Sequence, residues 1–278
     1  MMKNKKSKII FIICLIVFIA AVVTGVAYKV HQKKNSAVYD KLQEQSNIST
    51  LPDTSEEKPV APSIPVDFTA LKEQNPDIYA WIHIDDTKID YPIVQSQGED
   101  DYYLDHTIEG KEGLPGSIYT EYTYTSQDMS DPVTVIYGHN MRDKSMFGIL
   151  DSYLDEDFRN QHSEIKIYTP EHIFTYKVVY AVTYDDRHIQ KNYDFQTTEG
   201  YQNFLTSLQT ERKLPSWMEE PFNVTTNDRM IVLSTCNRME VWLSVQEEWD
   251  GSLLSMVCEE KKVKEEQYRD CFSLRSDH

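Results

Sequence analysis

From Ile9 to Tyr28 the chain is almost uninterrupted Ile, Val, Ala, Phe and Leu, preceded by Lys3, Lys5, Lys6 and Lys8. Such a run is long enough to cross a bilayer as a helix. A cleaved signal peptide is the competing reading, because Ala20, Ala21 and Gly25 supply small residues near its end. The run exceeds the usual 7–15 residue apolar core of such a peptide, so residues 9–28 read as an uncleaved transmembrane anchor and 1–8 as a basic cytoplasmic segment. Lys29, Lys33 and Lys34 follow the span and pull against that orientation. From His31 the chain turns polar, and SNISTLPDTSEEKPVAPSIP is rich in proline, acids and hydroxyls. Residues 29–66 therefore read as an extracellular stalk that spaces a domain from the lipid. Within them Ala37–Gln45, with Tyr39 and Leu42 on one side, predicts a helical extension.

The globular pattern opens with a short capped helix, Asp67 to Gln74, that ends before Asn75-Pro76. Ala80–Ile84 alternates, Asp85-Asp86-Thr87 turns, and Ile89–Val94 returns, which predicts a β-hairpin. Further strands are expected at Gly116–Thr120, Val133–Tyr137, Glu164–Tyr168, His172–Thr183 and Arg229–Ser234. Helical spacing of apolar residues predicts helices at Lys144–Leu154, Asp155–Gln161 and Gly200–Thr210. Strands with helices inserted between them, and no βαβ repeat or glycine-rich phosphate loop, indicate a mainly β barrel with peripheral helices.

Two of the strand runs end in reactive side chains. Met230-Ile231-Val232-Leu233 stops on Ser234-Thr235-Cys236, and Val133-Thr134-Val135-Ile136-Tyr137 stops on Gly138-His139-Asn140-Met141. A cysteine held at the end of a rigid strand suits a nucleophile, and an imidazole beside it favours the thiolate and then protonates a leaving group. The alternative is an inert core thiol, since free cysteine is among the most buried residue types.

IVLSTC and VIYGHNM together resemble the active-site strands of sortases, the cysteine transpeptidases of Gram-positive cell surfaces. NPDIYAWIHIDDTKIDYPIVQS and DDYYLDHTIEGKEGLPGSIYTEY are similar to the N-terminal part of class B catalytic domains, so the likeness runs from about Phe68 to Cys236. The two active-site elements, in that order and about a hundred residues apart, form a specific combination. The resemblance implies a sortase-type eight-stranded β-barrel, here residues 67–245, with Cys236 as nucleophile and His139 as acid and base. It implies substrate contacts at Ser234, Thr235 and Asn140. It also implies surface proteins with a C-terminal NPxTN-like sorting signal as substrates, and a peptidoglycan cross-bridge or pilin amine as acceptor. No metal or organic cofactor is suggested.

The resemblance also implies an arginine after the cysteine, and there the chain departs from the pattern. A loop of roughly ten residues and then an arginine opening an alternating strand is expected. Instead Asn237-Arg238 leads directly into Met239–Val245, which leaves Arg238 as the candidate oxyanion donor in a shortened loop. A permissive back-translation of Glu247–Val257, shifted by two nucleotides, reads Arg-Met-Gly-Trp-Ile-Thr-Val-Ile. That is an arginine opening an apolar strand, and it defines an alternative in which residues 246–278 are an out-of-frame charged tail and the last barrel strand is lost.

Composition narrows the function classes. The 278 residues are 40% hydrophobic, enough for a substantial core, and carry a net charge of -17. That balance argues against a nucleic-acid partner, which needs clustered Lys and Arg. Cys14 lies in the membrane run and Cys258 and Cys271 in the tail, so no disulfide framework is visible and Cys236 is the thiol kept for chemistry. A papain-type protease is disfavoured, because no Cys-Trp helix start follows the thiol and the histidine precedes it. His83, His106, His162, His172 and His188 have no metal-ligand spacing and read as surface residues. The acidic clusters Glu99-Asp100-Asp101 and Asp185-Asp186 read as solvated loops rather than calcium sites.

Overall fold

Runs of β-branched and aromatic residues fit a pleated, buried surface, and here they assemble one sheet. The structure is a computed structural model that describes residues 5–46, 48, 64–183, 188–210, 216–235, 239–249 and 257–258, with side chains from residue 11 to residue 235. Cys236, Arg238, Asp185, Asp186, Cys271, most of the Pro-rich segment and most of the charged tail lie outside the described residues.

The strands are β1 (Ile78–His83), β2 (Asp90–Val94), β3 (Ile118–Tyr119), β4 (Val133–Gly138), β5 (Glu164–Tyr168), β6 (Ile173–Thr183), β7 (Ser216–Met218), β8 (Met230–Thr235), β9 (Met239–Trp249) and β10 (Val257–Cys258). Their order is β10-β9-β8-β4-β3-β2-β1-β5-β6-β7, and a further pairing of β9 with β6 joins the sheet to itself. Eight strands thereby close into a barrel, with β7 and β10 appended at its rim. Closure removes the open edges that would otherwise template aggregation. Val133 to Gly138 in β4 is buried throughout, as is Met230 to Thr235 in β8. Burial on both faces is expected of a parallel pair, and it explains why these runs read as continuous apolar stretches.

Met239–Trp249 follows β8 after only three residues, Cys236 to Arg238, and pairs antiparallel with both β8 and β6. The chain as written thus supplies the closing strand. Helices lie outside the barrel: α1 (Lys5–Gln45), α2 (Phe68–Gln74), α3 (Glu156–Gln161), α4 (Ile189–Asn192) and α5 (Thr198–Thr210). The side chain of Asp67 accepts from the Ala70 amide and starts α2, as its sequence signal implies.

Several local expectations need correction. Residues 29–45 are not a free stalk, for α1 runs unbroken through them and buries Asn35, Val38, Tyr39 and Leu42 against the domain. Those positions share one helical face, and the helical extension expected over Ala37–Gln45 with Tyr39 and Leu42 on one side is present. Lys144–Leu154 is not a helix; a turn with positive φ at Lys144 and Met146 leads into a short 3-10 segment at Leu150–Leu154. Met146, Phe147 and Leu150 enter the core by loop folding, not by helical periodicity, while Leu154 stays exposed. The expected alternation in the first hairpin arm is also absent, since every residue of β1 is buried.

His83 and His188 are not surface residues. His83 is 8% exposed, its Nδ1 lies 3.0 Å from Asp90 and its Nε2 2.9 Å from Asp85. Trp81 Nε1 also donates to the Asp90 carboxylate, at 2.7 Å. Burial alone would lower the His83 pKa, but hydrogen bonds and charge from Asp90 and Asp85 outweigh it and hold the pKa above its ordinary value. The stability this contributes is fully present below the unfolded-state value of 6.5 and is lost as pH rises through the raised folded-state pKa. The wild-type chain is expected to exceed His83→Gln by about 1–3 kcal/mol in acid, on the scale of hydrogen bonds to charged groups. The gap should shrink at alkaline pH; denaturant melts from pH 5 to 9 check this, and a pH-independent gap would mean a neutral imidazole.

Candidate active site

The site begins with a register. β4 and β8 run parallel, with Tyr137 beside Ser234 and Gly138 beside Thr235. His139 follows Gly138, and Cys236 follows Thr235. The two candidate reactive residues are therefore the next positions along adjacent parallel strands leaving the same end of the sheet. Cys236 itself is outside the described residues.

Gly138 is required by close approach, because a Cβ there would meet the Phe147 ring at 2.8 Å. The Phe147 amide in turn donates to the His139 carbonyl at 3.0 Å, so the folded turn after Asn140 clamps the His139 backbone. The imidazole is 8% exposed, and its Nε2 donates to the Leu104 carbonyl at 2.7 Å. That bond selects the tautomer and fixes the ring plane. Burial lowers the His139 pKa, opposed by the Leu104 carbonyl and the Asp105 charge. The resting ring is thus mainly neutral at neutral pH.

Of the other sequence-derived site residues, Ser234 and Thr235 are buried in β8. Thr235 Oγ1 is buried and has no hydrogen-bond partner among the described residues. Asn140 is half-buried and donates to the Asp151 carboxylate at 3.3 Å. The structure also brings in residues the sequence reading passed over. Tyr137 stacks on Tyr119 with ring centroids 5.4 Å apart, and its hydroxyl donates to Glu121 at 3.2 Å. His188 Nε2 donates to the same carboxylate at 3.0 Å, which ties the start of α4 to the segment after β3. Period-two alternation from His139 would have marked Tyr137 as a neighbour on its face. Leu104 acts through a backbone carbonyl, which leaves no sequence signal.

A family model for the sortase domain matches residues 82–246, from within β1 to within β9. The chain belongs to the sortase family. Sortases are cysteine transpeptidases, and the similar proteins are of class B. Sortase B of Listeria monocytogenes is 36% identical over 171 residues, which cover 60% of this chain and 65% of that protein. The chain therefore matches just under two thirds of the Listeria sortase's length. Sortase B of Staphylococcus aureus is 29% identical over 236 residues, covering 82% of this chain and 87% of that one. A solved Staphylococcus aureus sortase B–substrate complex superposes with a TM-score of 0.60 at 27% identity, covering 78% of this chain and 97% of that one. The sortase barrel is thus shared from the first hairpin to the strand after the cysteine.

Proposed function

We propose that this chain is a membrane-anchored class B sortase that cleaves a C-terminal sorting signal of NPxTN type and passes the protein to a cell-wall or pilin amine. The observation that supports the reading is the parallel register of Gly138 with Thr235, the residues that directly precede His139 and Cys236 in the chain. The neutral His139 takes the Cys236 thiol proton as the sulfur attacks the carbonyl of the signal's threonine, and the tetrahedral intermediate collapses to a thioester as the same proton passes from His139 to the departing amine. With Nε2 engaged by Leu104, the transferred proton runs through Nδ1. An incoming amine then resolves the thioester and regenerates the thiol. The Staphylococcus aureus sortase B is solved as a substrate complex, which supports a substrate site on this barrel.

Ser234, Thr235 and Asn140 line the signal's path in this reading, and Thr235 Oγ1 is a buried hydroxyl available to a substrate polar group. Arg238 holds the oxyanion from the three-residue connection between β8 and β9. The apolar part of α1 spans the membrane with its lysine-rich start inside and the barrel outside.

The brevity of that connection favours a second reading, a sortase scaffold with impaired turnover, since the resemblance calls for a longer loop before the arginine. Incubating the full chain with a fluorogenic sorting-signal peptide, with and without an amine acceptor, separates the readings. Amine-dependent product marks a transpeptidase, hydrolysis alone a protease, and no product an inactive scaffold. Resequencing the gene beyond the codon for Cys236 tests the shifted frame.

A further inference from the structure

The helix that carries the apolar run ends against the loop that holds the catalytic histidine. Asn35 donates through its side-chain amide to the carbonyls of Glu112 and Leu114, at 3.2 and 3.3 Å. One turn later the Tyr39 hydroxyl, on a side chain 3% exposed, donates to the Gly116 carbonyl and lies 2.9 Å from Ser117 Oγ. Gly116 has φ +64, and a Cβ there would collide with the carbonyl oxygen of Leu104. The Ser117 amide donates to the Tyr103 carbonyl at 2.9 Å, and Ser117 Oγ donates to the His106 carbonyl at 2.8 Å. The Leu104 oxygen packed against Gly116 is the one that accepts from His139 Nε2. A short path of direct contacts thus links α1 to the imidazole: Tyr39, Gly116–Ser117, Tyr103–Leu104, His139.

We propose that Tyr39 is a positioning residue for His139, so that the anchor helix sets the geometry of the reaction and does not merely tether the barrel. Loop 102–117 is folded against α1 on one side and presents the Leu104 carbonyl on the other. Freeing the α1 side lets Leu104 shift, and a misplaced carbonyl releases the ring from its plane and admits water. The proposal rests on the reading of His139 as the acid of an acyl transfer, and its test is chosen to separate the two.

The test uses the full chain in detergent micelles, with Tyr39→Phe, Ser117→Ala and the double variant. Phenylalanine keeps the packing and removes only the hydroxyl. With the fluorogenic peptide, kcat for Tyr39→Phe is expected to fall about 3–10-fold, the scale of one neutral hydrogen bond expressed as a rate, with KM unchanged. The double variant should be no worse than the worse single one, because both act on one path. Nitrogen NMR of the His139 ring should show its pKa rising toward the ordinary value and the tautomers mixing, as admitted water relieves the burial that lowers it and outweighs the weakened Leu104 bond. Loss of thermal stability with kcat and the ring titration unchanged would overturn the proposal, as would full additivity of the two substitutions. If the parent chain transfers nothing while the ring titration still shifts in Tyr39→Phe, the functional reading fails and the positioning role stands.

Discussion

Replacing Cys236 with alanine is expected to abolish acyl transfer while leaving the domain folded and able to hold a sorting-signal peptide. The expectation follows from the register, in which Thr235 lies beside Gly138 and carries the chain into Cys236 as Gly138 carries it into His139. His139→Ala should lower kcat by about 10²–10⁴, the usual contribution of a positioned acid and base. The pH profile adds a check that mutation alone does not give. Because burial lowers the His139 pKa below 6.5, the lower limb of a bell-shaped kcat/KM profile should fall beneath that pH. Stopped assays of peptide cleavage from pH 4.5 to 9 measure it. Either variant with normal turnover would remove these residues from the mechanism.

Arg238→Ala is expected to lower kcat by about 10²–10³, the cost of losing one oxyanion donor, with a smaller effect on KM. Lysine should restore little, since it lacks the planar fork of donors that meets an oxyanion and a neighbouring carbonyl together. The physical reason to single out this residue is the three-residue connection between β8 and β9, which leaves Arg238 as its sole cation. Steady-state kinetics of the alanine and lysine variants, with the same peptide, decide it. If the chain is a scaffold with little turnover, alanine should change almost nothing, and restoring the shifted reading after the cysteine should raise activity by a large factor. A fully active chain indifferent to Arg238 would mean that backbone amides hold the oxyanion.

Much of the barrel was legible because strand signals are local. The continuous apolar runs of β4 and β8, the turn at Asp85-Asp86-Thr87 and the capped start of α2 are each written in fewer than ten residues. Their failures are equally local. Met146, Ile149, Leu150 and Leu154 have helical spacing, yet positive φ at Lys144 and Met146 turns that stretch into a folded loop. The folded loop buries Phe147 and packs its ring against Gly138.

The sequence by itself determined the apolar span, the strand runs, and the residue types that end them: a thiol, an imidazole and small neighbours. These are properties of neighbouring residues, and periodicity and side-chain chemistry are enough to read them. Only the tertiary structure decided that β4 and β8 lie side by side and parallel, because strand pairing joins residues about a hundred positions apart that carry no mark of each other. It also decided that His83 meets two carboxylates, that Leu104 holds His139 through a carbonyl every residue possesses, and that Tyr39 reaches Gly116 from within a segment that reads as a stalk. Backbone groups and buried polar pairs acquire their roles from what the fold brings against them, so their chemistry appears only once the chain has closed on itself.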